Sequence, residues 1–148
     1  MAKVTFHYAD RQLPLNDKKN LRSFIELNLF TNENIALEQL RYIFCSDEYL
    51  LVINKQFLNH DDYTDIITFD LSEQGGNGII GEVYISIDRV KENAATLQNA
   101  QNDEVLRVIF HGALHLCGYK DKKPSDSKLM REKENLYIDR YKNKKSST

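Results

Sequence analysis

The sequence predicts an α+β fold, in which one small mixed sheet of about four strands is backed by about five helices. Three observations support this prediction. Segments with strand-like patterns fall within the first 90 residues, and long helical patterns follow them. The chain has 148 residues, of which 41% are hydrophobic, as expected of one globular domain. We place that domain at residues 1–141.

Four segments carry the patterns of strands. Residues 4–8 alternate apolar and polar side chains with the period of two that a strand requires. Residues 36–46 alternate less regularly. Residues 63–69 and 79–87 are rich in β-branched and aromatic side chains and flank a glycine-rich loop, so they should pair as a hairpin.

The spacing of apolar residues and the available capping residues predict the helices. Asn16 or Asp17 can cap the first helix, Ser46 the second and Asp88 the third. The basic tail at 142–148 is expected to be disordered. The predicted helices span about residues 21–30, 49–58, 88–100, 103–117 and 125–141.

Composition excludes several classes of protein. Cys45 and Cys117 are the only cysteines, so a secreted scaffold held together by disulfides is excluded. No apolar run reaches the length of a membrane span, the mean hydropathy is −0.54, and the N-terminus lacks the layout of a signal peptide. We therefore expect a cytoplasmic protein without membrane partners.

The net charge of −2 is unevenly distributed along the chain. Residues 1–117 hold 10 Lys and Arg against 17 Asp and Glu, whereas residues 118–148 hold 10 against 5. A basic C-terminal end can contact a nucleic-acid backbone. It can equally be the solvated face of a terminal helix, so charge alone leaves both interpretations open.

A polar stripe interrupts the otherwise apolar helix predicted at 103–117. At about 100° per residue, Glu104, Arg107, His111 and His115 lie within about 80° of one another. Two imidazoles four residues apart can both bind one ion at about 2.0 to 2.1 Å. The spacing therefore predicts a helix that binds a metal, as in zincins.

The residues after this helix extend the prediction. Gly118 stands where a left-handed residue would end the helix, and the returning chain would bring Asp121 to the same ion as a third ligand. Three ligands leave one position open for an activated water on zinc, which favours a catalytic site. The alternative is that His111 and His115 only hydrogen-bond to neighbouring backbone. Cys117 points away from the stripe and is expected to lie in the core.

The spacing is also similar to the metzincin motif H-E-x-x-H-x-x-G-x-x-H. Gly112 occupies the position of the glutamate that acts as general base in peptide hydrolysis. A zinc peptidase is therefore the second hypothesis. We expect Gly112 to leave room for a bulky substrate or for the close packing of a strand.

The segment HGALHLCGYKD at 111–121 resembles the signature H-G-x-L-H-L-x-G-Y-D-H of the YbeY family, the bacterial endoribonucleases and rRNA maturation factors. Every specified position through Tyr119 matches, whereas Lys120 and Asp121 replace the aspartate and the third histidine. Residues 54–69 and 81–86 resemble two further patterns of the family. The resemblance therefore covers most of the chain.

The resemblance implies a metal-dependent endoribonuclease that acts on single-stranded RNA in rRNA maturation and ribosome quality control. It implies one zinc ion per chain, held by His111, His115 and Asp121, which activates water for phosphodiester hydrolysis. The partners would be an rRNA precursor and the ribosome or a ribosomal subunit, with no DNA expected. A non-catalytic, ribosome-associated protein whose metal holds the C-terminal helices is the third hypothesis.

The resemblance also places Asp65 and Glu82 near the site, where they could orient water or tune the metal ligands. Strand-end hydrogen bonding is the alternative role for both. The family's arginine, thought to act on the RNA phosphate, corresponds to Leu58, which cannot make a guanidinium contact. His60 and Arg107 are candidates to replace it. We favour Arg107, which precedes His111 by one helical turn.

Overall fold

A computed structural model of the chain describes residues 3–59, 64–98 and 100–146. The α+β prediction with a single mixed four-stranded sheet is confirmed. Within the described ranges, no helix combines the length and the apolarity needed to cross a lipid bilayer. The elements are β1 (Val4–Tyr8), α1 (Lys18–Phe24), a π-helical segment (Ile25–Leu29), α2 (Phe30–Asn32), β2 (Leu37–Cys45), α3 (Asp47–Leu58), β3 (Ile66–Asp70), β4 (Ile79–Ser86), α4 (Ile87–Thr96), α5 (Gln101–Leu116) and α6 (Pro124–Ser146).

The sheet has the strand order β1-β2-β4-β3. The pairs β1 with β2 and β2 with β4 are parallel; helices connect β1 to β2, and α3 followed by β3 connects β2 to β4. The strands β3 and β4 are antiparallel, with Ile66 opposite Ile85 and Asp70 opposite Gly81. The predicted hairpin is therefore confirmed.

The two faces of the sheet contact different helices. Along β4, Gly81 and Val83 lie against Leu116 and Gly112 of α5. Tyr84, the residue after Val83, packs instead in a smaller cluster on the opposite face. Alternate side chains of a strand point to opposite faces, so the odd-numbered residues of β4 determine how closely α5 approaches. The smaller cluster contains Cys45, Leu50, Ile53, Ile67, Phe69 and Tyr84.

Helix α5 lies in the centre of the main core, which explains why its sequence is apolar almost all round. Phe110 is fully buried and its ring lies 5.5 Å from that of Phe24. The buried Tyr42 hydroxyl donates a 2.7 Å hydrogen bond to the Ile109 carbonyl, which joins the sheet to the helix. Packing on several sides fixes the polar stripe of α5 in one direction.

The helix predicted at 21–30 is present, but its middle is π-helical. The Phe30 amide donates to the Ile25 carbonyl, five residues back. Phe24 and Leu29 are both buried, as are Ile25 and Phe30, at the same five-residue spacing. The wider turn therefore brings two adjacent pairs of apolar side chains into the core.

Two predicted capping and boundary details are wrong. Ser86, not Asp88, caps α4, because its hydroxyl accepts the Arg89 amide hydrogen at 3.1 Å. Asp88 instead accepts from the Asp47 amide and pairs with Arg11. Helix α6 continues through Ser146, five residues beyond its expected end at 141, and no glycine or proline follows that position.

Prediction one concerns the contact between α5 and β4. A Cβ added at Gly112 would lie 2.8 Å from Val83 Cγ1 and 3.2 Å from Ile66 Cδ1. We expect Gly112→Ala to lower the free energy of unfolding by about 1 to 3 kcal/mol, because overpacking a buried contact forces the elements apart. Urea denaturation measures the change.

The double variant Gly112→Ala, Val83→Ala provides the control. Because Val83→Ala removes the clashing methyl groups, the double variant should lose less stability than the sum of the two single variants. Additive losses, or a Gly112→Ala variant as stable as the parent, would contradict the proposed contact.

Candidate metal centre

The two histidines lie on one face of α5, a helical turn apart. Their ring centroids are 4.5 Å apart and the rings are nearly perpendicular, at 84°. Gly118 ends this region with a φ of 108°, as its predicted left-handed role requires. The Gly118 amide donates to the His115 carbonyl and the Tyr119 amide to the Leu114 carbonyl, which is the Schellman arrangement. The turn reverses the chain towards the histidines.

Asp121 closes the site from this turn. Its Oδ2 atom lies 3.2 Å from His111 Nε2 and 3.3 Å from His115 Nε2. Ligand atoms at about 2.1 Å from a tetrahedral ion are about 3.4 Å apart, so these separations match the edges of such a coordination sphere. The three ligand atoms lie within 4.8 Å of one another. The donor set therefore fits one divalent cation.

The second nitrogen of each imidazole is bound to an acceptor. His111 Nδ1 donates to Glu134 Oε2 at 2.6 Å, and His115 Nδ1 donates to the Tyr119 carbonyl at 2.9 Å. A carbonyl or carboxylate oxygen can only accept, so the Nδ1 atoms carry the hydrogens and the Nε2 lone pairs are free to bind metal. Backbone hydrogen bonding, the alternative role considered for these histidines, thus occurs at His115 alone and through the nitrogen that does not face Asp121.

Glu134 on α6 connects the metal centre to Arg107. Its side chain is 6% exposed, and Oε1 lies 2.9 Å from Arg107 Nη1. Arg107 Nη2 donates a further hydrogen bond to Asn135 Oδ1 at 2.8 Å. Arg107 is therefore held in one orientation, one turn before His111.

Charges around Glu134 determine its protonation. Burial alone would raise the pKa of Glu134, but hydrogen bonds from His111 and Arg107 hold it below its ordinary value. Burial alone would lower the pKa of His111, yet Glu134 and the charges of Asp121 and Asp65 raise it. Glu134 is therefore an ionised acceptor for both partners.

Sequence reasoning missed Glu134, although a signal for it exists. Met130, Glu134, Tyr137 and Tyr141 are all buried and recur at the spacing of one helix face. A glutamate within an apolar stripe must be paired when it is buried. A glutamate at a buried position of this apolar face therefore marks residue 134 as paired, but it does not identify the partners on α5.

A cavity of about 430 Å³ lies beside the metal centre. Asp65 and Arg107 line it, as do all three predicted metal ligands. Burial raises the pKa of the Asp65 carboxyl. The charged groups that line this cavity are the carboxyl groups of Asp65, Glu104, Asp121 and Glu134 and the guanidinium groups of Arg107 and Arg131.

The structure corrects the predicted placement of Glu82. Glu82 lies on the face of β4 opposite Val83, so its side chain points away from α5. Its Oε2 lies 3.1 Å from Arg41 Nη1, and its Oε1 accepts from the Tyr84 hydroxyl. Glu82 is therefore not part of the site.

The position at which the family has arginine does not reach the cavity. Leu58 is the last residue of α3, is 42% exposed and does not line the cavity. His60 lies outside the described residues. Arg107 is the candidate that the structure brings to the site.

A second buried carboxylate supports the turn that holds His115. Glu33 accepts hydrogen bonds from the hydroxyl groups of Tyr119, at 2.6 Å, and of Tyr137. Lys133 Nζ lies 3.5 Å away. Burial alone would raise the pKa of Glu33, but these three donors lower it. Because the Tyr119 carbonyl binds His115, this cluster fixes the imidazole indirectly.

Fold and site together define an α+β protein in which two histidines and one carboxylate on and beside a buried helix form a candidate cation site. The family model described as Endoribonuclease YbeY matches residues 5–142. The chain therefore belongs to the YbeY family, and the resemblance seen in the histidine motif is confirmed.

Individual relatives agree with this assignment. A protein of Cytophaga hutchinsonii named Endoribonuclease YbeY is 47% identical over 135 residues, which cover 91% of this chain and 93% of the relative. One of Parabacteroides distasonis with the same name is 45% identical over 132 residues, 89% and 91% of the two chains. The solution structure of TM1509 from Thermotoga maritima has a TM-score of 0.60 and 27% identity, covering 97% of this chain and 93% of that one.

Prediction two tests the role of Glu134. Glu134→Gln should weaken the affinity for zinc by about 10- to 100-fold, because the ionised acceptor that orients His111 is lost. Competition with a colorimetric chelator measures the affinity without any assay of activity. Glu132→Gln removes the same charge from an exposed position of α6 and should leave the affinity unchanged. Equal affinities for both variants would contradict this role.

Prediction three concerns Glu33. Glu33→Gln should lower the free energy of unfolding at pH 7 by about 1 to 3 kcal/mol, because buried hydroxyl donors lose a charged acceptor. The pKa of Glu33 is lowered in the folded state, so its stabilisation is complete above its unfolded pKa and is lost as the pH falls through the folded one.

Urea denaturation at pH 7 and at pH 3 measures this difference. The gap between the parent and Glu33→Gln should narrow at pH 3. Glu38→Gln, at an exposed position of β2, is the matched control and should change little at either pH. A gap that is as large at pH 3 as at pH 7 would show that the charge of Glu33 is not responsible.

Proposed function

We propose that this chain is a metal-dependent endoribonuclease that hydrolyses phosphodiester bonds of single-stranded RNA during rRNA maturation. The observation that carries the proposal is the convergence of His111, His115 and Asp121 beside an open cavity, in a chain whose relatives are named endoribonucleases. Ribosome quality control is the proposed wider process. The ribosome is the proposed partner, and the cytoplasm is the proposed location.

We propose one zinc ion per chain as the cofactor. Two imidazole nitrogens and a carboxylate oxygen are a common zinc donor set, and three ligands leave one position for substrate or water. Nickel, cobalt and manganese accept the same donors and are alternatives. When bound, such a cation supplies Lewis-acid polarisation of a phosphoryl oxygen and lowers the pKa of water.

The charge of the cavity favours a cation-dependent reaction. Four carboxyl groups and two guanidinium groups line it, so an RNA phosphate meets net negative charge. A divalent cation would offset this excess and make the cavity accessible to the phosphate. The acidic lining, to which the proposed ligand Asp121 itself contributes, therefore supports metal dependence.

Asp65 and Arg107 have complementary proposed roles. Asp65 presents a half-buried carboxyl group to the cavity, where it can accept a hydrogen bond from the attacking water and orient it. Arg107, held by Glu134 and Asn135, places a fixed positive charge at the cavity wall for the phosphate. This charge compensates for Leu58, where the family pattern has arginine.

Exposed basic residues continue from the site along the surface. Lys120, Lys122, Lys123 and Lys128 follow the metal-binding helix and are exposed. We propose that they contact the RNA backbone and hold the strand beside the cavity, without reading its sequence.

The position of Gly112 argues against a peptidase. In the metzincin motif the corresponding glutamate is the general base. Here a side chain at 112 would meet Val83 and Ile66 of the sheet, so no carboxylate from this position reaches the cavity. The structure uses this glycine for close packing of a strand, one of its two expected roles.

Prediction four tests the proposed function. His115→Ala and Asp121→Ala should each reduce the bound metal and lower the rate of RNA cleavage by roughly 100-fold or more, because the polarising ion is lost. Elemental analysis and cleavage of a single-stranded RNA are measured on the same samples. Asp121→His, which keeps a zinc ligand at this position, should retain the metal.

The outcomes distinguish the three hypotheses. Equal metal content in the parent and Asp121→Ala would remove Asp121 from the coordination sphere. Cleavage of an unstructured protein but not of RNA would favour the peptidase. Metal binding that raises the melting temperature, with no RNA cleaved at any protein concentration, would favour the non-catalytic role.

A further inference from the structure

Glu104 is a buried carboxyl group that the proposed mechanism does not use. It lies in the first turn of α5 and is 5% exposed. Its Oε2 atom is buried and has no hydrogen-bond partner among the described residues. The helix dipole favours an acidic residue in the first turn, but an exposed side chain would serve that purpose without the cost of burial.

Glu104 shares the cavity of the metal centre. Glu104 and His111 are seven residues apart on α5, so they lie on the same helix face about 10 Å apart along the axis. Val108 and Met130 line the cavity as apolar walls, and Arg131 lines it from α6. One cavity therefore contains a metal centre and an unpartnered acceptor separated by about the reach of one nucleotide.

These walls suit a planar, partly polar ring. Protein sites that read single-stranded RNA combine apolar or guanidinium surfaces with hydrogen-bonding groups that meet the edge of a base. The cavity offers the side chains of Val108, Met130 and Arg131 for the ring and Glu104 for its edge. A bound base would donate hydrogen bonds to the oxygen of Glu104 that has no partner among the described residues.

We propose that Glu104 recognises a guanine in the nucleotide next to the phosphate that is cleaved. This inference rests on the proposed endoribonuclease function and adds a base preference to it. An ionised carboxyl group offers only acceptors, and guanine presents two adjacent donors, the N1 hydrogen and the N2 amino group, on its Watson–Crick edge. Adenine, cytosine and uracil each offer a single donor there.

The charges near Glu104 are consistent with this role. Burial raises the pKa of Glu104, while the positive charges of Arg107 and Arg131 oppose the increase. The arginines therefore favour the ionised form, which is the form that accepts two hydrogen bonds. Neither forms a salt bridge with Glu104 among the described residues, so its buried Oε2 atom keeps no partner, and a base that binds it must displace the side chains that cover it.

Two pentaribonucleotides test the inference on the metal-loaded parent protein. One contains a single guanine and the other has inosine, which lacks the N2 amino group, in its place. The parent should cleave beside guanine roughly 5- to 100-fold faster than beside inosine. Equal rates would overturn the proposal, and this comparison needs no variant that might fail to fold.

Variants then assign the preference to one side chain. In Glu104→Gln one acceptor becomes a donor, so the guanine-to-inosine ratio should fall to about one. Asp103→Asn makes the same charge change at a partly exposed neighbour that pairs with Lys142, and it should retain the parental ratio. A Glu104→Gln variant that keeps the full ratio would exclude Glu104 as the recognising group.

A binding measurement separates this inference from the proposed function. The same pentamers carry a fluorophore, and protein is added to them while their fluorescence anisotropy is measured. The two proteins are the single variant His115→Ala and the double variant that also carries Glu104→Gln. If the guanine pentamer binds more tightly than the inosine pentamer to the protein that retains Glu104, and not to the double variant, recognition by Glu104 is supported even if the parent cleaves no RNA. Equal binding of both pentamers by both proteins would overturn it, even if the parent is an active nuclease.

Discussion

The carboxylate of Glu134 is the group on which the site depends. One oxygen accepts from His111 and the other pairs with Arg107, so a single side chain of α6 fixes both the proposed metal ligand and the charge that we propose for the phosphate. Burying a carboxylate is costly unless its oxygens are paired, and both oxygens of Glu134 are. Docking of α6 onto α5 and assembly of the site are therefore one structural event, and misplacing either helix would disturb both.

Local patterns in the sequence were sufficient for much of this structure. The alternation of β1, the four-residue spacing of His111 and His115, and the conformational demand at Gly118 are each encoded within a few residues. Glu134 and Glu33 act through partners more than twenty residues away, and no local period identifies such pairs. Glu82 was misplaced for a related reason, because the face that a strand residue occupies depends on which side the packing helix covers.

Asp121 distinguishes this metal centre from the three-histidine pattern of the family signature. A carboxylate reduces the positive charge of a zinc site by one unit relative to a neutral imidazole at the same position. An ion bound there would therefore attract an RNA phosphate less strongly than one held by three histidines. Two arginines line the cavity, and Arg107 is fixed there by α6, so part of the missing attraction is supplied by the protein itself.

The π-helical segment between α1 and α2 has a consequence for the length of the chain. Its wider turn buries Phe24 with Leu29 and Ile25 with Phe30, pairs whose members are five residues apart. In an ordinary α-helix, residues four apart share a face. Deleting one residue between Ile25 and Leu29 would reduce both spacings to four, which suits an α-helix, so this segment can absorb a one-residue deletion during divergence without rotating the core side chains.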